Sequence, residues 1–368
     1  MIPVFRPYTD GKEIEHLKEV IDSGWWGLGP KTKEFEERFS KYIGTAYAIG
    51  LNSATAALDL AFKVIGIEGK EVISTSMTFV STNHAILYNK GIPVFCDIEP
   101  DTLNIDATKI EELITEKTKA IVVVHFGGRA CDMDKIMEIA KKHNLALVED
   151  CAHACGGEYK GKKLGSIGDY GCFSFQAVKN LATGDGGMIT TNNKEANDLL
   201  LKYRWVGITK DTFSRDIGKY SWYYDVVNLG YKFHMNDIAA AIGLAQFEKL
   251  DWMNNQRGKW SDYYTKQLNG VGDIHLPVKK EYMKPAYHNY VIKTNKRDAL
   301  QEFLKSKNIS TGVHYYPNHL YEMYQPYYRN LPVTENIWKH LITLRLYPAL
   351  TENDISSVVN SIKEFFNQ

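Results

Sequence analysis

Residues 148–191 read VEDCAHACGGEYKGKKLGSIGDYGCFSFQAVKNLATGDGGMITT, and the reading of this stretch decides the fold. It opens with an apolar strand that ends on Glu149 and Asp150. A glycine-rich excursion follows, and a second strand, 171–175, leads to Lys179. Gly184, Asp185, Gly186 and Gly187 then predict a tight turn before a third strand. A carboxylate at one strand end and a lysine just past another lie where open α/β sheets place their sites. Such a lysine condenses with carbonyl compounds if its surroundings lower its pKa. A lone loop lysine is ordinarily a solvated surface group; here the neighbouring carboxylate and glycines argue otherwise.

Working outward, strands and helices alternate. Residues 47–51 read as a strand, 52–55 as a turn of small polar residues, and 56–64 as an alanine-rich helix. The start of that helix suits either a plain cap or a phosphate on its free N–H groups. Strands are predicted at 71–75, 93–97, 120–125 and 145–150. Helices are predicted at 80–88, at 106–113 opened by Asp106, and at 133–142 capped by Asp132. Near-continuous apolar strands in this rhythm imply a largely parallel sheet covered on both faces. No G-x-G-x-x-G follows the first strand and no G-x-x-x-x-G-K-[ST] occurs, so dinucleotide and P-loop readings lack support.

At the N-terminal side, Ile14, Leu17, Val20 and Ile21 give a helical period over 10–23. The loop 23–30 then holds Trp25 and Trp26 among three glycines, for core packing or for lining a cleft. After Thr191 come a helix at 196–203, a polar aromatic loop through Tyr224, and an apolar helix at 238–250 capped by Asn236 and Asp237. Composition shifts near Asp251. This divides the chain into a large domain, 1–250, and a smaller α+β domain, 251–368, with strands at 287–293 and about 309–315. Ile355, Val358, Val359, Ile362, Phe365 and Phe366 fall on one face of a last helix.

The 368 residues are 44% apolar, enough for a substantial core, and 44 basic residues balance 44 acidic ones. That neutrality gives no electrostatic argument for nucleic acid. Five cysteines fit a reduced, cytoplasmic protein better than a disulfide framework. Residues 1–6 lack the pattern of a secretory signal, and no apolar run reaches membrane-spanning length. The Cys151, His153, Cys155 spacing matches no common zinc pattern, so no metal site is expected.

Taken together, several motifs resemble the DegT/DnrJ/EryC1/StrS aminotransferases, which use pyridoxal 5'-phosphate (PLP). They are residues 52–58 (NSATAAL), 77–82 (MTFVST), 149–154 (EDCAHA), Gly168-Asp169, 173–175 (FSF), Lys179-Asn180 and 184–187 (GDGG). Gly230-Tyr231, Gly243-Leu244-Ala245-Gln246 and Leu346-Tyr347-Pro348 extend the match nearly end to end. The resemblance implies the PLP-dependent transferase fold type I, a homodimer with shared active sites, and roles for single residues. Lys179 matches the lysine that carries the cofactor and shuttles the proton, and Asp150 the partner of the pyridinium nitrogen. Phe79 matches the aromatic side chain stacked on the ring, and His153 the group near the ring hydroxyl. Ser53, Ala54 and Ser174 match phosphate contacts. Trp26, His234 and His314 are the candidate substrate contacts.

Two positions depart from many relatives. In residues 230–234 (GYKFH), Lys232 and His234 stand where Asn and Arg are common. The first position reaches the phosphate of the neighbouring subunit, which a lysine can also do. The second lies near substrate, where a histidine is shorter and can be neutral. The implied activity is transfer of an amine from L-glutamate to a nucleotide-linked keto sugar in surface-polysaccharide synthesis. A small phosphorylated keto acceptor and a non-catalytic binding or regulatory role are the alternatives. Lys179 argues against the dehydratase route of relatives with histidine at that position.

Overall fold

The computed structural model describes residues 3–209 and 223–367; most of the polar aromatic loop expected before Tyr224 lies outside them. Nine of the described strands are numbered β1 to β9 up to Thr191. Seven of these form the central sheet: β1 (Tyr47–Leu51), β2 (Glu71–Thr75), β3 (Ile92–Cys96), β4 (Thr118–Val124), β5 (Ala146–Asp150), β8 (Tyr170–Ser174) and β9 (Gly187–Thr191). Their order is β1-β9-β8-β5-β4-β2-β3. The pairs from β3 through β8 are parallel, while β9 runs antiparallel to both its neighbours. This is the mostly parallel sheet expected, with β9 as an antiparallel strand that was not.

Alternation along the strands explains the layering. Ile73, Ile121, Val123, Leu147 and Phe173 enter one core, and Val72, Ala120, Val122, Val148, Cys172 and Ile189 the opposite one. Successive side chains leave a strand on opposite faces, so a sheet apolar at both parities must be covered twice. Helices α1 (Lys12–Ser23) and α2 (Pro30–Ile43) precede the sheet. Helix α3 (Ala54–Ile65) covers the second face through Ala57, Leu58, Ala61 and Phe62. Gly66, in the left-handed region at φ 74°, ends it. Helices α4 (Ser81–Tyr88), α5 (Met133–Lys142), α6 (Lys194–Tyr203) and α7 (Asp237–Glu248) follow.

The nineteen-residue helix α8 (Leu250–Leu268) leads into a separate apolar cluster. That cluster surrounds the antiparallel pair Tyr290–Lys293 and Leu341–Leu344. Ile355, Val358, Val359 and Ile362 of the last helix, Glu352–Phe366, are buried in it, each contributing roughly 1.5–3 kcal/mol. Thr351 and Asp354 close a capping box at the start of that helix. No helix among the described residues is long and apolar enough to cross a membrane.

Several local expectations need correction. Residues 106–113 form two short 3₁₀ turns, Ala107–Lys109 and Glu111–Leu113, instead of one helix. Asp106 Oδ1 accepts from both the N–H (2.9 Å) and the hydroxyl (2.6 Å) of Thr108, which tightens the first turn. Asp132 makes no side-chain cap; its carboxylate accepts from the Tyr159 hydroxyl at 3.2 Å. The helix expected over 238–250 stops at Glu248, where the Lys249 ammonium turns to Glu13 (2.8 Å) and Asp10. No strand forms over 309–315. Gly312 exchanges two backbone bonds with Thr343, and the chain then leaves for the cavity described below. The strand Leu341–Leu344 was not anticipated. In α1, Val20 is buried, but Ile14 and Ile21 are exposed at 73% and 46%.

Candidate active site

A cavity of about 490 Å³ opens at the carboxyl ends of the parallel strands. Ser53, Ala54, Phe79, Asp150, His153, Ser174, Lys179 and His314 all line it. Its floor is a cradle of small residues. Where β1 gives way to α3, Ser53 Oγ accepts from the Ala56 N–H at 3.1 Å, which leaves earlier N–H groups of the helix start free of a helical partner. Register places Gly187 opposite both Leu51 and Ser174, bringing the Ser174 hydroxyl beside this turn. A Cβ on Gly187 would lie 2.4 Å from the Ser53 carbonyl carbon and 2.7 Å from the Ala54 nitrogen. The close approach, not a turn, is what requires glycine there.

Asp150 ends β5 and is nearly fully buried. Its Oδ2 accepts from the Thr82 hydroxyl at 2.7 Å and its Oδ1 from the Ala152 N–H at 3.0 Å. Thr82 is itself 2.8 Å from the Thr78 hydroxyl; since a carboxylate only accepts, Thr82 receives the Thr78 proton. Burial raises the Asp150 pKa, and the two hydrogen bonds and the charge of Lys179 only partly oppose this. For Lys179, burial depresses the pKa to about 8 against the pull of Asp150. An uncharged, nucleophilic amine is therefore accessible near neutral pH.

The ring of Phe79 is 58% exposed at the cavity, 6.4 Å from the Tyr315 ring. His153 stacks on His288 at 4.3 Å between centroids. Its Nδ1 accepts from the Gly127 N–H at 3.4 Å, which leaves the proton on Nε2 to donate to the Tyr315 oxygen at 2.9 Å. Burial, with the charge of Lys179, holds His153 neutral. His314 bonds Thr343 Oγ1 at 2.8 Å, and burial lowers its pKa to about 4.

Lys232, His234 and Trp26 lie outside this cavity. The Lys232 ammonium stands 3.3 Å from the centroid of Trp205, and His234 meets the same ring edge-on at 4.2 Å. Their backbone nevertheless borders the cradle, because Asn52 N–H donates to Phe233 O at 2.7 Å. Burial lowers the His234 pKa to about 4. Trp26 is 53% exposed.

Sequence reading missed Thr78, Thr82 and Tyr315. The two threonines sit within the quoted residues 77–82 at i, i+4 spacing, a signal that one hydroxyl could serve the other. Tyr315 carried no such signal, because only tertiary folding brings it to His153. Cys151, His153 and Cys155 do not converge: both cysteines enter the core while His153 faces the cavity. His125, Glu149 and Cys151 do approach within 4.8 Å. The first two are fully engaged there. His125 Nδ1 accepts from the Cys131 N–H, and its Nε2 donates to Glu149 at 3.0 Å. Glu149 also accepts from the N–H groups of Gly165, Ile167 and Gly168, fixing the excursion that separates β5 from β8.

A helix start beside a hydroxyl, a buried carboxylate, a depressed lysine and a bare aromatic face suit the phosphate, ring nitrogen, carbonyl and ring plane of PLP. The comparisons agree. Residues 7–363 match the DegT/DnrJ/EryC1/StrS aminotransferase family. The chain is 36% identical to GDP-perosamine synthase of Escherichia coli O157:H7, with 100% of this chain and 99% of that one covered. It is 38% identical to the spore coat polysaccharide biosynthesis protein SpsC of Bacillus subtilis, with 99% and 96% covered. Among solved structures, Spr1654 of Streptococcus pneumoniae in its PMP-form superposes with a TM-score of 0.94 at 32% identity, over 100% of this chain and 99% of that one. The chain belongs to the DegT/DnrJ/EryC1/StrS family and is a PLP-dependent aminotransferase.

Proposed function

We propose that the protein transfers the amino group of L-glutamate to a keto carbon of a nucleotide-linked sugar used in a surface polysaccharide. One observation carries the chemistry: the Lys179 amine, lowered to about pKa 8, shares a cavity with Asp150 and the Ser53 cradle. The acceptor class is supported by the relatives' names, a perosamine synthase and a coat-polysaccharide protein.

PLP, when bound, supplies an electrophilic carbonyl and a ring that takes up the electrons released at Cα. Around it each residue has a task. Asp150 holds a proton on the ring nitrogen. Lys179 takes the proton from the donor Cα and returns it at C4′, which needs an amine that is often uncharged. Phe79 covers one ring face and keeps water from it. Ser53, Ala54 and Ser174 bind the phosphate with N–H and hydroxyl donors. His153 and Tyr315 would serve the ring hydroxyl, with His153 fixing the tyrosine by donation from Nε2. His314 contacts substrate from within the cavity; Trp26 and His234, which lie outside it, reach substrate only across a homodimer, where Lys232 reaches the phosphate of the partner's site. The same reading divides the chain at 250/251 and places it in the cytoplasm, in keeping with five free, buried cysteines.

The test is a panel of nucleotide-linked keto sugars and small phosphorylated ketones, each assayed with L-glutamate and resolved by mass. Amination of a nucleotide-linked member supports the proposal. Amination of the small ketones alone would overturn the acceptor class, and a visible cofactor band unchanged by L-glutamate would overturn the donor.

A further inference from the structure

We propose that His288 is a positioning residue for the reaction, holding the Lys179 loop through Asn180 and the His153 ring by stacking. His288 is buried and stands behind the residues that line the cofactor cavity. The inference concerns PLP chemistry alone and holds for any amino donor or acceptor.

Hydrogen bonds fix the first task. Asn180 directly follows the reactive lysine, and its Nδ2 donates to Ala286 O at 2.6 Å and to Asn254 Oδ1 at 2.8 Å. A backbone carbonyl only accepts, so the carbonyl end of the Asn180 amide must face His288, whose Nδ1 is 3.0 Å away. His288 therefore carries a proton on Nδ1 and donates it. Burial, reinforced by His153 and Lys179, pushes its pKa well below the usual histidine range, so that proton is its only one. Asn180 is 2% exposed, and shifting it would break a buried hydrogen bond. Lys179, one peptide away, inherits that anchor.

The ring of His288 performs the second task. It stacks on His153 at 4.3 Å between centroids and 17° between planes, and on Phe5 at 5.3 Å and 8°. His153 is in turn nearly parallel to Tyr315, at 6.0 Å and 11°. The Gly127 peptide ties the two histidines together: its oxygen accepts from the His288 N–H at 3.1 Å, and its N–H donates to His153 Nδ1 at 3.4 Å. Held this way, His153 gives its Nε2 proton to the Tyr315 oxygen, which leaves the tyrosine proton to donate to the ring oxygen of PLP. A side chain that only filled space would need the ring and not the Asn180 bond.

Two substitutions each keep one task. His288→Phe keeps a stacked ring and loses the donor; His288→Asn keeps a donor near the Nδ1 position and loses the ring. With saturating PLP, His288→Phe apoprotein should form the visible cofactor band roughly tenfold more slowly than wild type, since a misplaced reacting group is costly in rate. The pH midpoint of its band should stay at the wild-type value. His288→Asn should raise that midpoint by about half a pH unit or more, because a ring oxygen that loses a hydrogen-bond donor holds its proton more tightly. Phe5→Ala cuts no buried hydrogen bond and should move the midpoint in the same direction; it decides the matter if the buried variants do not fold. Wild-type band formation in His288→Phe, or a wild-type midpoint in His288→Asn or Phe5→Ala, would overturn the proposal. None of these readouts uses L-glutamate or a keto sugar, so their outcome leaves the substrate reading to its own test.

Discussion

Replacing Asp150 by Asn separates the electronic role of this residue from any structural one. The carboxylate is buried, with two hydrogen bonds, from Thr82 and from the Ala152 N–H. An amide fills the same volume: its oxygen can accept from Ala152, and its NH₂ can donate to Thr82 Oγ1. The apoprotein should lose little. Burial raises the folded pKa of Asp150, so the folded state binds a proton that the unfolded chain has already released. Stability therefore falls as pH rises from the unfolded value through the folded one. Asp150→Asn removes that penalty, and the apoprotein should melt at or above the wild-type temperature. Catalysis should respond in the opposite direction. Without the negative partner, the ring nitrogen has no means of keeping its proton in a desolvated site. Removing one member of a buried charge pair costs roughly 3–5 kcal/mol, which is about two to four orders of magnitude in rate. The assay is the half-reaction with L-glutamate followed at the visible cofactor band, alongside thermal melting of both apoproteins. A near-wild-type rate would refute the charge argument, and a large drop in melting temperature would refute the claim that the carboxylate is not structural.

Lys179→Ala should abolish the visible band, and borohydride reduction of the wild type should leave the pyridoxyl label on the peptide containing Lys179, not on Lys160, Lys162 or Lys163. The folded pKa of about 8 lies below the unfolded value of 10.5, so apoprotein stability should rise with pH between those values, and Lys179→Ala should remove that slope in pH-dependent melts. Gly187→Ala forces a methyl to within 2.4 Å of the Ser53 turn, so cofactor retention on dialysis should fall by at least tenfold; undiminished retention would show that the cradle yields. For the shared site, coexpressed Lys179→Ala and Lys232→Ala chains should regain activity in mixed dimers. The doubly substituted chain mixed with wild type should give dead mixed dimers, and the reverse result would place Lys232 in its own subunit's site.

Legibility followed the range of the forces involved. The seven-stranded sheet could be read because its strands are apolar at both parities, a pattern set within five to seven residues. Ser53, Asp150 and Lys179 could be read because each ends or follows a strand, and sheet order alone brings strand ends together. What failed depended on partners distant in sequence. Asp132 looked like a cap, but Tyr159 offered its carboxylate a hydroxyl. The apolar run 238–250 looked like one helix until Lys249 found Asp10 and Glu13. Residues 309–315 had strand composition, yet after Gly312 the chain turns to carry Tyr315 to His153, 162 positions away in sequence.

The C-terminal region meets the site through a run of hydrogen bonds. Asn318 Nδ2 donates to Thr78 O at 2.8 Å, and its Oδ1 accepts from Asn83 at 2.7 Å. Thr78 in turn donates to Thr82, which donates to Asp150. A loop of the C-terminal region is thus joined by three buried hydrogen bonds to the carboxylate that faces the cofactor. His319, next in sequence, bonds Ser76 Oγ at 2.6 Å and Glu335 at 3.2 Å, fixing the same loop from its other side. Because Asn318, Thr78, Thr82 and Asp150 are all buried, breaking one link among them strands a donor or acceptor away from water, at a cost of about 1–3 kcal/mol. The geometry at Asp150 therefore depends on the C-terminal region being seated, although no residue of that region touches the carboxylate in the bonds above.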